Sequence, residues 1–316
     1  MQSAGNGRVL ALAGGVGGAK LALGFTRIVS PGNLVIGVNT GDDECFHGLH
    51  VSPDLDTVMY TLAGMANPET GWGLTGDTFH SLELLRYYGA DVWFNLGDRD
   101  LATHIRRTQR LREGASLSNV TAELSRALGV EHVIVPMSDD SVKTVLTTDE
   151  GGLAMQEYFV KLRAEPQVQG IKYVGAESAQ PSPTMAEALA AGGLLVLCPS
   201  NPFLSLGPII ALNGVRRSLE EFAGVKVAVS PIISGLAVRG PAAKMMAELG
   251  HDVSCLGVAR QYQSLCDYFV IDDQDANLAP AIADLGMQPV VTSIIMESEA
   301  DKVSLARKIL DLKSQD

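Results

Sequence analysis

The stretch "SPDLDT", residues 52–57, places Asp54 and Asp56 two positions apart at the start of an apolar run. Carboxylates in such a pair can hold a divalent cation or take a proton from a hydroxyl group. They also suit the first turn of a helix, where the dipole favours negative charge. Ser52 is a good N-cap and Pro53 a good first residue, so a helix is predicted from Pro53, with Val58, Met59 and Leu62 on its apolar face. At 3.6 residues per turn the two aspartates point roughly 200° apart. One is then expected to serve the helix start and the other to face an acceptor hydroxyl or a metal. A second acidic group, Asn39, Asp42 and Asp43, follows the apolar run at 34–38. Mg²⁺ takes one or two carboxylates together with substrate phosphates, a loop could turn either Asp42 or Asp43 inward, and Asp54 is a candidate second carboxylate. A solvated turn is the bland account of "GDD".

Three further stretches carry chemistry-bearing residues. "AGGVGGAK" (13–20) supplies Gly14, Gly15, Gly17 and Gly18, then Lys20, where a strand gives way to a helix. Glycines let backbone amides approach a phosphate, and the helix N-terminus adds partial positive charge. The stretch fits neither GxGxxG nor a Walker loop, because Lys20 takes the third glycine's place and Leu21 follows it. "LGDRDLATHIRRTQ" (96–109) mixes Gly97, Asp98, Arg99 and Asp100 with Thr103 and His104. Arg99 could grip a phosphate with its planar fork or pair with Asp54 or Asp56. His104 reads as a ligand, a base or a hydrogen-bonded packing residue. "PSNPFLSLGP" (199–208) holds Ser200, Asn201, Ser205 and Gly207, able to read a base or ribose edge or to form a rigid proline-fixed turn. Tyr60 and Trp72 could stack on a flat ring or pack in a core. His47 and His50 in "HGLH" lack a third ligand and read as loop.

The elements that must position these residues recur along the chain. Short runs rich in Val, Ile and Leu each precede a loop dense in Gly, Asp, Asn, Ser and Pro: 9–18, 34–43, 91–100, 132–140, 194–202, 225–233 and 268–275. Continuous apolar runs are the pattern of strands buried on both faces, and their alternation with helical segments implies an α/β fold. The expected architecture is a doubly wound, mainly parallel, Rossmann-like sheet with helices on both faces. Such sheets bind ligands beyond the carboxyl ends of their strands, where the loops above lie. Residues 143–160 break the pattern with two strand-like halves around Asp149-Glu150-Gly151-Gly152. This predicts a β-hairpin within an inserted subdomain at 143–185, beside a single domain spanning 1–316.

Composition narrows the partners. The 316 residues are 46 % hydrophobic and 19 % charged, enough for a sizeable core. A net charge of −12 argues against nucleic acid as a partner. No apolar stretch reaches the ~18 residues of a membrane span, and "MQSAGNGRVLALAGG" lacks signal-peptide features. Cys45, Cys198, Cys255 and Cys266 form no CxxC pair, so a cytoplasmic setting is expected.

Together "LAGGVGGAKL", "VNTGDD", "SPDLDTVMYTLAG", "LGDRDLATHIRRTQ", "PMSDD", "PSNPFLSLGPI", "VSPIISG" and "RGPAAKMM" resemble the signature blocks of the CofD/FbiA transferases of coenzyme F420 biosynthesis, in the family's order, over roughly residues 9–265. The resemblance implies transfer of a phospho-three-carbon acid from a guanosine diphospho-linked donor to the ribityl hydroxyl of the deazaflavin Fo. It also implies release of GMP, assistance by Mg²⁺ and a homodimeric assembly. It maps the acceptor pocket to the 54–60 and 97–104 blocks, the metal aspartate to Asp42, and nucleotide contacts to the glycine loop and the 200–207 block. For the catalytic groups, the residues themselves point to Asp54, Asp56 and Arg99. The rival resemblance is to YvcK-like proteins, which share the glycine loop and bind nucleotide sugars as regulators without transfer chemistry. A dehydrogenase is disfavoured by the failed GxGxxG pattern.

Overall fold

The computed structural model describes residues 8–238 and 240–313. The N-terminal stretch read for signal features lies largely outside the described residues, as does Arg239 of the "RGPAAKMM" block. Strand β1 (Val9–Ala13) runs into helix α1 (Gly15–Thr26), and β2 (Leu34–Val38) leads into a short hairpin, β3 (Glu44–Phe46) with β4 (Leu49–Val51). Helices α2 (Pro53–Leu62), α3 (His80–Tyr87), α4 (Asp100–Arg112) and α5 (Leu117–Ala127) follow. Then come β5 (Val133–Pro136), an antiparallel trio of β6 (Lys143–Thr148), β7 (Gly151–Ala154) and β8 (Val168–Val174), and β9 (Gly193–Leu197) with β10 (Gly224–Val229). A two-residue ribbon, β11 (Ile232–Ile233) and β12 (Leu236–Ala237), precedes β13 (Tyr268–Ile271) and β14 (Gln288–Val291).

Seven strands make the central sheet in the order β14-β13-β10-β9-β1-β2-β5, every neighbouring pair parallel. The α/β, doubly wound reading therefore holds. β1 shows why its run is apolar throughout. Leu10 and Leu12 enter one hydrophobic core while Val9, Ala11 and Ala13 enter another on the opposite face. Strand order reverses between β1 and β9, the point at whose carboxyl edge open α/β sheets bind ligands.

The expected hairpin at 149–152 is present, with Thr148 paired to Gly151 across the turn, and β8 adds to its other side. The stretch 91–95, expected as a strand, is not one. Its apolar residues Trp93 and Phe94 pack with Phe46, Val51 and Leu96 in a small cluster of their own, the Phe46 and Phe94 rings stacking at 4.0 Å. An aromatic satellite cluster thus takes up the apolar surface that would otherwise seek a sheet. The tail beyond residue 265, which carried no recognisable block, completes the sheet with β13 and β14. It then packs the helix Glu299–Leu312 on α1, where Gly24 lies directly against the Lys302 carbonyl and Arg27 pairs with Glu299 at 3.0 Å.

Candidate functional site

The glycine loop and the 200-block meet first. Ser200 Oγ donates to the Gly14 carbonyl at 2.8 Å and accepts from the Gly14 N–H at 3.3 Å. Gly17 lies so close to the Pro199 carbonyl that any Cβ would sit 2.2 Å from that oxygen, and Gly18 is buried against Ala13 and Ser200. The loops after β1 and β9 therefore form one wall. Asn201 braces the second of them, its Oδ1 accepting from the N–H groups of Phe203 (2.9 Å) and Leu204 (3.1 Å). Ser205 is buried against Gly14, and Gly207 packs beside the Tyr173 hydroxyl.

The acidic residues converge on this wall. Asp54 Oδ1 accepts from the Gly15 N–H at 2.7 Å. Asn39 Nδ2 lies 2.9 Å from Asp54 Oδ2, 3.1 Å from Asp42 Oδ1 and 3.2 Å from the Leu204 carbonyl. One amide thus ties both carboxylates to the 200-block. Asp42 is buried, and Gln156 Nε2 approaches its Oδ2 at 3.2 Å. Loss of solvation, then the nearby charges of Asp54 and Asp43, push the Asp42 carboxyl well above its usual range. Asp54 is pushed up to about 6, again chiefly by burial, although Asn39 and Gly15 favour its charged form. Asp43 Oδ2 accepts from Ser52 Oγ at 2.7 Å and meets His50 Nε2 at 2.9 Å. Ser52 sits at the helix start as expected, but its hydroxyl goes to Asp43 and makes no capping bond.

Asp56 has a different neighbour. Its carboxylate meets the buried Arg107 guanidinium, with Nη1 at 3.0 Å from Oδ2 and Nη2 on Oδ1. Of the two readings of Arg99, a phosphate grip or a pairing with Asp54 or Asp56, the structure does not bear out the pairing. Arg99 is exposed and donates to the Thr75 carbonyl at 2.8 Å. Arg107, farther along α4, is the residue facing α2. Asp98 holds the segment before α4 by accepting from Thr78 Oγ1 (2.6 Å) and the His80 and Ser81 N–H groups. These bonds keep its carboxyl well below the usual range. Gly97 lies against the Asp77 carboxylate.

A cavity of about 210 Å³ opens between these elements. α2 supplies Asp54, Asp56, Thr57 and Tyr60. The 72–95 segment supplies Trp72, Gly73, Phe94 and Asn95. α4 supplies Asp100 and His104, and the segment after β7 supplies Met155, Gln156, Phe159 and Val160. Gly15 and Asp42 lie at the end nearest the glycine loop. The Tyr60 hydroxyl donates to Asp100 Oδ1 at 2.6 Å, and His104 Nε2 lies 3.2 Å from Asp100 Oδ2. Trp72 is 44 % exposed, as a residue at a rim must be. Lys20, Arg99 and Thr103 are not among the cavity's lining residues, and neither are Ser200, Asn201, Ser205 and Gly207, which stand behind the glycine loop.

Sequence reasoning missed Arg107, Phe94, Phe159 and Gln156. A buried arginine in the basic face "RRTQRLR" looks like its solvated neighbours. Gln156 had a faint signal, being a lone amide in the apolar run "LAMQEYFV".

A cation fits the donor set. Among the described residues the hydrogen-bond donors to the Asp42 and Asp54 carboxylates are neutral, namely the amides of Asn39 and Gln156 and the Gly15 N–H, with Lys143 a nearby positive charge beside Asp42. Two desolvated carboxylates beside each other without a bonded cation are what Mg²⁺ chemistry uses. Among the described residues no three His, Cys, Asp or Glu side chains form a ready-made metal cage, so substrate oxygens would complete the coordination.

This is an α/β protein with a parallel sheet, and its glycine turn and acidic residues lie where strand order reverses, the place such sheets bind ligands. The chain matches the family described as 2-phospho-L-lactate transferase CofD over residues 9–307, and it belongs to that family. It is 40 % identical to a phosphoenolpyruvate transferase of Streptomyces griseus, covering 98 % of this chain and 99 % of that one. It is also 40 % identical to a 2-phospho-L-lactate transferase of Methanothermobacter thermautotrophicus, covering 96 % and 97 %. In fold it is similar to a protein of the UPF0052 family from Bacillus halodurans, with a TM-score of 0.62 and 12 % identity over 97 % of this chain and 99 % of that one. Among the described residues no helix is long and apolar enough to cross a membrane.

Proposed function

We propose that this chain transfers a phospho-three-carbon-acid group (phospholactyl, phosphoenolpyruvyl or phosphoglyceryl) from a guanosine diphospho-linked donor to the terminal ribityl hydroxyl of Fo, releasing GMP, in coenzyme F420 biosynthesis. The observation that carries this reading is the meeting of Asp42 and Asp54, through Asn39, between a glycine loop and a largely apolar cavity with Trp72 at its rim. The glycine loop and the 200-block are assigned to the guanosine diphospho end. The cavity is assigned to the deazaflavin ring, which Trp72, Phe94 and Phe159 would flank.

Phosphoryl transfer asks for alignment and charge neutralisation more than covalent help. Asp42 with Asp54 would hold Mg²⁺, which when bound neutralises charge on the diphosphate and the leaving GMP. The ribityl oxygen forms its bond to the phosphorus bearing the acid, the bond from that phosphorus to the GMP oxygen breaks, and the hydroxyl proton leaves to a carboxylate. Asp54 is the candidate acceptor by position, because it lines the cavity beside the Gly15 N–H. Asp56 is committed to Arg107 and serves by fixing α2 against α4. The protein is proposed to act in the cytoplasm as a homodimer.

The test is mass spectrometry of the product formed from Fo with each of the three guanylated donors and Mg²⁺. A mass gain of one phospho-acid with stoichiometric GMP is expected from at least one donor. No product from any donor, together with binding of a uridine nucleotide sugar and not of Fo, would replace this reading with a YvcK-like regulator.

A further inference from the structure

The antiparallel trio β6–β7–β8 touches the acidic loop at three successive residues. The Thr144 N–H donates to the Gly41 carbonyl at 2.7 Å. Lys143 Nζ bonds the Asp43 carbonyl. Between them Gln156 Nε2 reaches both Asp42 Oδ2, at 3.2 Å, and the Asp42 carbonyl, at 3.3 Å. Gln156 is only 4 % exposed, and its neighbours Met155, Phe159 and Val160 line the cavity. It leads directly into the π-helical turn Glu157–Lys161, a rare conformation that is frequent at functional sites.

A glutamine amide in this place has a particular chemical value. It donates to the carboxylate and fixes its orientation, yet adds no positive charge. The amide therefore does not compete with a cation for the charge of Asp42. Because Asn39 holds Oδ1 and Gln156 holds Oδ2, the plane of the carboxylate is set from both sides. Gripping the Asp42 carbonyl as well fixes side chain and backbone together.

We propose that Gln156 is the positioning residue for Asp42, and that through it the segment 143–160 orients the cation-binding carboxylate while walling the acceptor cavity. This rests on the metal reading given above. Donors that orient metal ligands usually matter by about 10- to 100-fold in metal affinity.

The test is titration of the full chain with Mn²⁺ alone, read by the paramagnetic resonance of the free ion, beside fluorescence titration with Fo. Gln156→Met keeps the length and loses the donor. It is expected to bind Mn²⁺ about 10- to 100-fold more weakly, with Fo affinity within about threefold because Phe159 and Val160 stay in place. Gln156→Lys keeps a donor and brings its own charge, and is expected to abolish Mn²⁺ binding. Mn²⁺ affinity of Gln156→Met within twofold of the unaltered chain overturns the proposal, as does equal weakening of Mn²⁺ and Fo, which marks a merely structural role. If Gln156→Met fails to melt cooperatively, Gln156→Lys decides: Mn²⁺ binding like that of the unaltered chain overturns the proposal. An unaltered chain that binds no Mn²⁺, either alone or with GDP present to supply phosphate oxygens, overturns the metal reading itself, a failure visible before any variant is made.

Discussion

The backbone N–H of Gly15 donates to Oδ1 of Asp54 across 2.7 Å. This bond joins the first turn of α2 to the first turn of α1, the two helix starts that face the crevice. It places a carboxylate where the partial positive charge of α1 is greatest. Burial still raises the Asp54 pKa, so desolvation exceeds what the dipole and the hydrogen bonds return.

Gly14→Ala is expected to damage stability and activity together. The added Cβ would lie 2.5 Å from Ser205 Cβ and 2.6 Å from Asp54 Oδ2. Such overpacking costs roughly 1–3 kcal/mol. Chemical denaturation checks it, and Gly14→Ala with Ser205→Gly should recover part of the loss. No recovery would mean that the clash with Asp54 dominates.

Asp54→Asn should change the pH dependence of stability in the metal-free protein. The folded pKa of about 6 stands above the ordinary 3.8. The folded state therefore holds its proton more tightly, so this group's contribution is present below about pH 4 and lost as pH rises through about 6. The loss is on the order of 1–3 kcal/mol. Denaturation curves in EDTA from pH 4 to 7 should show the unaltered chain falling relative to Asp54→Asn across this window. Parallel profiles would contradict the assignment. Turnover by the variant should fall about 10²- to 10⁴-fold if Asp54 takes the proton.

Asp56 and Arg107 should behave as a buried pair. Removing either partner leaves a charge stranded between α2 and α4, at a cost of about 3–5 kcal/mol. Arg107→Met with Asp56→Leu should restore much of that loss. A double-mutant cycle with no coupling would show that the two groups are independently solvated.

Trp72→Ala should weaken Fo binding with little effect on the melting temperature, since the side chain is 44 % exposed. Stacking of a flat heterocycle on an aromatic ring is worth about 1–3 kcal/mol. Fluorescence titration reads the change, and unaltered Fo affinity would move the ring elsewhere in the cavity.

The parallel sheet was legible because β1, β2, β9, β10 and β13 are apolar at nearly every position, a pattern few other structures require. The run at 91–95 misled because Trp93 and Phe94 are apolar for the sake of Phe46, and a local cluster has the same composition as a strand. Asp42, Asp54 and the glycine loop were legible as a site because polar residues were concentrated at strand ends. Their meeting through Asn39 was not, since it depends on how far α2 is turned against the sheet. Arg107 and Gln156 were hidden for the same reason: their partners lie 51 and 114 positions away.

Most of the cavity wall comes from four stretches, 53–60, 72–95, 100–104 and 155–160, and none of them is a strand of the central sheet. The scaffold proposed to hold the diphosphate end is thereby built from other stretches than the surfaces proposed to meet the acceptor. Exchanging 72–95 and 155–160 between relatives offers a way to graft one acceptor preference onto another member while the strands and the acidic crevice stay untouched.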